Sequence, residues 1–269
     1  MRSRLLKLLP AAALLLAGCE KEIDFKYRDI EPILVIEGSV TQDGATVSLT
    51  ETTPMDEPMN RRQVAEATVR LTDLTDGTTV DLIPSGTSPE DPYVSPQGGI
   101  EGHRYLLSVT RPGTADANTA ECLMPPAAAT PELTLAWIEM PYDRVAVLQT
   151  RFAAVPEQCY WIRVYRNDEA YMWRAVSGNM VYDGEINEVF MTTRKDTSEE
   201  EDDTVLVDGD VLTVTVAPIS REMHDYLEAI GADSTGPRLF SGPMALGYFL
   251  AAPLSTASIT FHPSEIPDF

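Results

Sequence analysis

Apolar residues alternate with polar ones along most of this chain, and the period is two, the spacing of a strand with one face buried. Ile33-Leu34-Val35-Ile36-Glu37-Gly38-Ser39-Val40 is an apolar, β-branched run closed by Gln42-Asp43-Gly44, and Ala45–Thr50 follows with Ala, Val and Leu between hydroxyls. Asp-Gly between two such runs predicts a hairpin. Residues 52–63 carry Pro54 and Pro58, which cannot donate to a ladder, and read as a loop. The pattern resumes at Ala67–Asp73, turns at Asp76-Gly77 and continues through Thr78–Leu82. A Pro/Gly/Ser-rich stretch from Pro84 to Gly99 separates it from the strand His103–Thr110, which ends at Pro112-Gly113. Short strands at this spacing, with no helical pattern between them, predict a β-sandwich of immunoglobulin-like size over residues 33–130.

Pro125, Pro126 and Pro131, with the alanines between them, read as a linker to a second β-sandwich spanning 131–269. Its strands are Thr134–Glu139, Val145–Phe152, Tyr160–Arg166 (where Trp161, Val164 and Tyr165 would anchor a core), Val211–Val216 and Ala257–Phe261. Val189–Thr193 and Val205–Val207 carry a fainter pattern, and Asp208-Gly209-Asp210 reads as the turn before Val211. One segment departs from period two. Met223, Tyr226, Leu227 and Ile230 recur at i, i+3, i+4 and i+7, behind Ser220 as a cap and ahead of Gly231 as a stop. That spacing predicts one short amphipathic helix over 220–231 in an otherwise all-β chain.

The first nineteen residues have a different character. Arg2, Arg4 and Lys7 precede an apolar stretch from Leu8 to Ala17, which is a secretory signal over residues 1–18 and too short to span a bilayer. It ends in Leu16-Ala17-Gly18-Cys19, similar to the lipobox cut by bacterial signal peptidase II. The resemblance implies acylation of Cys19, an anchor in the membrane through N-terminal acyl chains, and a tether over 19–32. Glu20-Lys21-Glu22-Ile23-Asp24 resembles the surface-export signal of Bacteroidota lipoproteins, which implies an outer-membrane protein facing the cell exterior; a solvated spacer is the plainer alternative.

Charge narrows the partners. Forty-two acids against 20 Lys and Arg give −22, which disfavours nucleic acid, and cleavage of the leader would remove three cations and no acid. Candidate chemistry is sparse. The three histidines, His103, His224 and His262, stand apart in sequence, and no zinc spacing, phosphate loop or nucleophile elbow occurs, so neither cofactor, metal nor catalytic residue is expected. The acidic loop 198–203 reads as a solvated segment or, less economically, as a set of Ca²⁺ ligands, and Asp208-Gly209-Asp210 reads as a turn sooner than a metal site. Cys122 and Cys159 would be either a disulfide or two small apolar groups in separate elements. Aromatics concentrate between Trp137 and Trp173; most fit core positions, whereas Tyr171, Trp173 and Arg174, beside the loop Asn167-Asp168-Glu169, are the candidates for a binding contact.

The order of several segments resembles the Bacteroidota lipoproteins of domain-of-unknown-function family 4249. The matching pieces are Leu34–Gly38, Ala67–Leu71 before Asp76-Gly77, Gly102–Leu107, Cys159-Tyr160-Trp161, Ile219–Leu227 after Gly209-Asp210, and Ala245–Ala251. Where that family has a longer Asn/Pro-rich stretch, this chain has only Leu239–Met244. The resemblance implies a two-domain β protein encoded beside a TonB-dependent outer-membrane receptor, acting as a non-catalytic accessory in nutrient uptake. A free-standing adhesin or glycan-binding module is the alternative, and a hydrolase built on clustered carboxylates is a third, weaker reading.

Overall fold

The computed structural model describes residues 31–53, 62–88, 90–141, 143–179, 181, 183–194 and 204–267. The leader, Cys19 with most of the tether, and the acidic run 198–203 lie outside the described residues.

β1 (Leu34–Thr41) and β2 (Gly44–Glu51) form the expected hairpin around Gln42-Asp43. Leu34, Ile36 and Val40 on β1 and Ala45, Val47 and Leu49 on β2 point into one core. β3 (Arg62–Gln63) adds a short rung to β2, and β4 (Thr68–Asp73) pairs with β5 (Thr79–Pro84) across the Asp76-Gly77 turn. β6 (Tyr93–Ser95) lies inside the stretch whose composition predicts only loop, and it joins β2 to β5. The cause is one side chain: Tyr93 is buried, and its hydroxyl accepts a hydrogen bond from the Ala67 amide at 3.0 Å. β7 (Arg104–Thr110) and β8 (Ala117–Leu123) complete this half.

Beyond the proline-rich connection come β9 (Glu132–Met140), β10 (Asp143–Ala153), β11 (Cys159–Arg166), β12 (Glu169–Ser177), β13 (Glu185–Arg194) and β14 (Val211–Ile219). The fainter pattern at Val189–Thr193 belongs to β13, whereas Val205–Val207 is not a strand. Val205 and Leu206 are nonetheless buried, and the Leu206 amide donates to Thr193 Oγ1 at 2.6 Å. α1 (Arg221–Gly231) follows with its expected cap, the Met223 amide donating to Ser220 Oγ at 3.1 Å. β15 (Ala245–Ala251) and β16 (Ser255–Thr260) end the chain.

These strands build an all-β, sandwich-like protein. One nine-stranded sheet runs β15-β1-β2-β6-β5-β4-β7-β8 with β3 off the path; a three-stranded sheet runs β13-β10-β9, and a four-stranded sheet β12-β11-β14-β16. β15 comes from the segment 131–269 that the sequence assigns to the second sandwich, yet it pairs in parallel with β1, Leu34 opposite Ala245 through Val40 opposite Ala251. Just ahead of it, Ser241 exchanges two backbone hydrogen bonds with Thr119 of β8, so both ends of the long sheet meet the returning chain. Phe240, Ala245, Phe249 and Ala251 thereby sit in the core otherwise made by residues 34–124.

A second core, with Leu148, Tyr160, Ile162, Val164, Leu212 and Val214, lies between the two smaller sheets. A third, with Cys159, Trp161, Ala217, Met223, Leu227 and Leu250, fills the space between the opposite face of β11 and β14, the helix α1 and the back of β15. β11 is therefore buried on both faces over Cys159–Ile162, which is why its sequence runs apolar there instead of alternating. The third core joins the two halves of the molecule, and the candidate site lies at its open margin.

Candidate functional site

Trp161, Arg163 and Tyr165 occupy alternate positions of β11 and so share the face turned toward β15. Across the sheet, Arg163 stands opposite Trp173 of β12 on one side and Thr215 of β14 on the other, and Thr215 is opposite Thr256 of β16. One cross-strand row thus reads Trp173, Arg163, Thr215, Thr256. In the adjacent row Trp161 stands between Ala175 and Ala217, whose small side chains leave room for the indole. From the other half of the molecule Tyr248 reaches this face: its ring meets Trp161 edge-on, centroids 5.4 Å apart at 86°. Trp173 meets Trp161 in the same T-shaped manner at 6.4 Å and 87°. Such geometry aligns ring edges with ring faces and adds about 0.5–1.5 kcal/mol per pair beyond burial.

Arg163 is held by rings rather than by acids. Its Cζ lies 4.5 Å from the Trp161 centroid and 5.9 Å from that of Tyr165, and it makes no hydrogen bond or ion pair among the described residues. Among the described residues, three polar atoms of this face are buried without a hydrogen-bond partner: Trp161 Nε1, Arg163 Nε and Thr215 Oγ1. Each orphan of this kind costs about 1–3 kcal/mol, and more when charged, so three on adjacent positions is an expensive arrangement for a purely structural face. Exposure grows outward: Trp161 is 7% and Thr215 8% exposed, Arg163, Tyr165 and Tyr248 are half-buried, and Trp173 is 41% exposed. Burial first, then the nearby Glu37 carboxylate opposite it on β1, pushes the Tyr248 phenol up to about 12, so it stays a neutral hydroxyl at physiological pH. The result is a set of flat ring faces around hydrogen-bond donors that lack acceptors, suited to binding.

The sequence-derived contact residues Tyr171, Trp173 and Arg174 all lie on β12, but the strand divides them. Register slips between Val164 and Tyr165 of β11, so Tyr171 and Met172 both turn to the second core, and the Tyr171 hydroxyl donates to the Thr204 carbonyl at 2.9 Å. Arg174 lies on that side too, donating to Glu188 at 2.8 Å with its guanidinium 5.5 Å from the Phe190 ring. All three line a shallow depression of about 440 Å³ between the edge strands β12 and β13, and only Trp173 also belongs to the aromatic face. Trp161, expected as a core anchor, is buried in the third core, and Tyr165 shares its face of the sheet. Arg163, Thr215 and Tyr248 were not singled out by sequence. The alternation Trp161-x-Arg163-x-Tyr165 is the signal that marks the first of them.

The remaining candidates resolve as structural groups. Cys122 and Cys159 are free thiols, so the disulfide alternative does not hold. Cys122 Sγ accepts from the Ala251 amide at 3.2 Å, and burial pushes its thiol up, while Cys159 is 1% exposed in the third core. Asp210 is a tie rather than a metal ligand, accepting from Arg166 Nε at 2.7 Å, Asn167 Nδ2 at 2.7 Å and the Val207 amide at 2.9 Å. Burial raises its carboxyl, but these hydrogen bonds outweigh that and leave it below the usual carboxylate range. The histidines are not isolated in space: His103 Nδ1 lies 2.7 Å from Asp73 and His262 Nδ1 2.8 Å from Asp208. His103, Asp73 and Asp76 bring ligand-type atoms within 4.8 Å of one another, a grouping the sequence reading missed because β4 and β7 pair only in the fold. Both Asp73 oxygens are already engaged, by the Thr75 amide at 2.9 Å and by His103, and Asp76 takes the Thr78 amide at 2.8 Å.

No curated protein matches the chain. Among solved structures, the chicken interferon gamma receptor alpha chain aligns with 80% of this chain and 98% of its own at 10% identity, with a TM-score of 0.24. The family match is the informative one: residues 20–258 fit the domain of unknown function DUF4249, and the chain belongs to that family.

Proposed function

We propose that this protein is a surface-exposed outer-membrane lipoprotein that serves as a non-catalytic binding component of a TonB-dependent nutrient-uptake system. The observation that carries the reading is the N-terminal sequence: a basic, apolar leader ends in Leu16-Ala17-Gly18-Cys19, and an acidic tract follows at once. A diacylated cysteine with a further acyl chain has ample buried methylene for stable anchoring, at about 0.8 kcal/mol each. The fold supports a binding role. Two sandwich-like halves are fused through a shared core, a rigid frame for presenting the aromatic face of Trp161, Arg163, Trp173 and Tyr248. The test is affinity purification of the tagged full chain from detergent-solubilised membranes, with uptake measured in a deletion strain. Co-purification of a TonB-dependent receptor and slowed uptake are expected. Recovery of the chain alone together with unchanged uptake overturns the reading.

A free-standing glycan-binding module is the second reading, favoured by the partly exposed Trp173 beside Arg163, whose guanidinium makes no ion pair among the described residues. Deletion would then leave uptake intact while the purified protein still binds polysaccharide.

A further inference from the structure

We infer that the row Trp173–Arg163–Thr215–Thr256, roofed by Tyr248, binds a saccharide bearing a carboxylate, such as a uronic-acid oligomer. This deepens the binding role proposed above and names the chemistry of its ligand.

Trp161 Nε1 and Arg163 Nε can only donate, and Thr215 Oγ1 can donate as well as accept. The hydroxyls of Tyr165 and Tyr248 make no hydrogen bond among the described residues and add two more donors. Trp161 Nε1, Arg163 Nε and Thr215 Oγ1 are closed to solvent, so a ligand meets this face through the half-buried side chains of Arg163, Tyr165 and Tyr248, and an acceptor-rich ligand suits their donors. A guanidinium whose edge is unused pairs best with a planar carboxylate, which accepts two parallel hydrogen bonds from it. Cation–ring contact with Trp161 and Tyr165 fixes the plane of Arg163, so the fork is pre-set rather than recruited at a cost in side-chain freedom.

The flanks of the row fit the rest of a sugar. Trp173 offers an exposed ring at one end, a flat apolar surface for the C–H face of a pyranose. At the other end Thr256 and Ser258 are exposed, and Thr213 Oγ1 and Ser258 Oγ lie 2.9 Å apart, giving hydroxyls at the spacing of sugar hydroxyls. Glu37 stands on the Tyr248 side, which assigns the ligand's carboxylate to the Arg163–Thr215 end and neutral hydroxyls to the β1 side. The chain carries −22 overall, so an anionic sugar gains nothing from long-range attraction; within about 8 Å at physiological salt the local guanidinium decides.

The experiment is calorimetry and tryptophan fluorescence on the full chain in detergent, with tri-galacturonate as the probe and the matching neutral galactose trimer as comparison. Galacturonate binding with a fluorescence change, at least tenfold tighter than the neutral trimer, is expected. Arg163→Gln should lower that affinity at least tenfold, and Arg163→Lys should recover part of it. Trp173→Ala, at an exposed position, keeps the test open if the Arg163 variants fold poorly, and should weaken both trimers alike. Arg174→Gln, on the other face of β12, should change nothing. Equal affinity for the two trimers, no binding at millimolar concentration, or an unaltered Arg163→Gln protein overturns the inference. Absence of binding alongside a co-purifying receptor would remove the ligand assignment and leave the uptake reading standing.

Discussion

The Tyr226 hydroxyl of α1 accepts a hydrogen bond from the Gly247 amide of β15 at 3.1 Å. Gly247 sits at φ +100°, and a Cβ there would lie 2.0 Å from the Ile36 carbonyl oxygen. The left-handed backbone and the close approach of β1 both demand glycine, and the helix supplies the acceptor that the parallel ladder does not. Gly247→Ala should therefore destabilise the protein by at least about 2 kcal/mol, read as a fall in Tm of several degrees. Tyr226→Phe should cost about 1–3 kcal/mol by leaving a buried amide unpaired. A Gly247→Ala protein as stable as the parent would contradict the parallel pairing of β15 with β1.

Phe249, on the same strand, is 6% exposed in the first core. Phe249→Ala should cost about 3–5 kcal/mol in chemical denaturation. Because Phe240, Ala245, Phe249 and Ala251 come from the far end of the chain, a fragment of residues 31–130 should fail to unfold cooperatively, lacking one wall of its core. A sharp transition from that fragment would show that β15 is dispensable.

Asp210 gives a pH signature. Its folded carboxyl lies below the ordinary value, so its contribution is complete above pH about 4 and disappears as pH falls through the lowered folded value. Asp210→Asn should cost about 1–3 kcal/mol at pH 7, since it weakens a charge-assisted hydrogen bond from Arg166, whose side chain is only 17% exposed. The gap between parent and variant should narrow below pH 4. A gap that stays constant down to pH 2 would mean that the carboxylate's charge contributes nothing.

Both cysteine positions predict a simple chemical result. Without reductant, denatured protein should show Cys122 and Cys159 each carrying an alkyl group in peptide mass mapping. Native protein should protect Cys159, which is 1% exposed. A linked pair of peptides would overturn the free-thiol assignment.

Most strands were legible because one of their faces meets water, so polarity alternates: β1, β2, β4 and β7 read directly from Leu34, Val47, Leu71 and Leu107. The helix was legible from Ser220 and the Met223–Ile230 spacing. β15 was hidden, since its two faces fill two different cores, with Phe249 in one and Leu250 in another, and no alternation survives. The separation of Tyr171 from Trp173 depends on a bulge opposite Val164 and Tyr165, and composition carries no trace of it. Arg163 escaped notice because a lone cation on a strand reads as solvent-facing until the partner sheet bearing Tyr248 is in place.

The return of β15 also governs when the molecule can finish. Gln42 and Leu254 are hydrogen-bonded neighbours 212 residues apart, a span that makes ring closure slow and late in synthesis. Until β15 is made, β1 presents a bare edge to its surroundings. A chain wired in this way closes its long sheet only when β15 has been made.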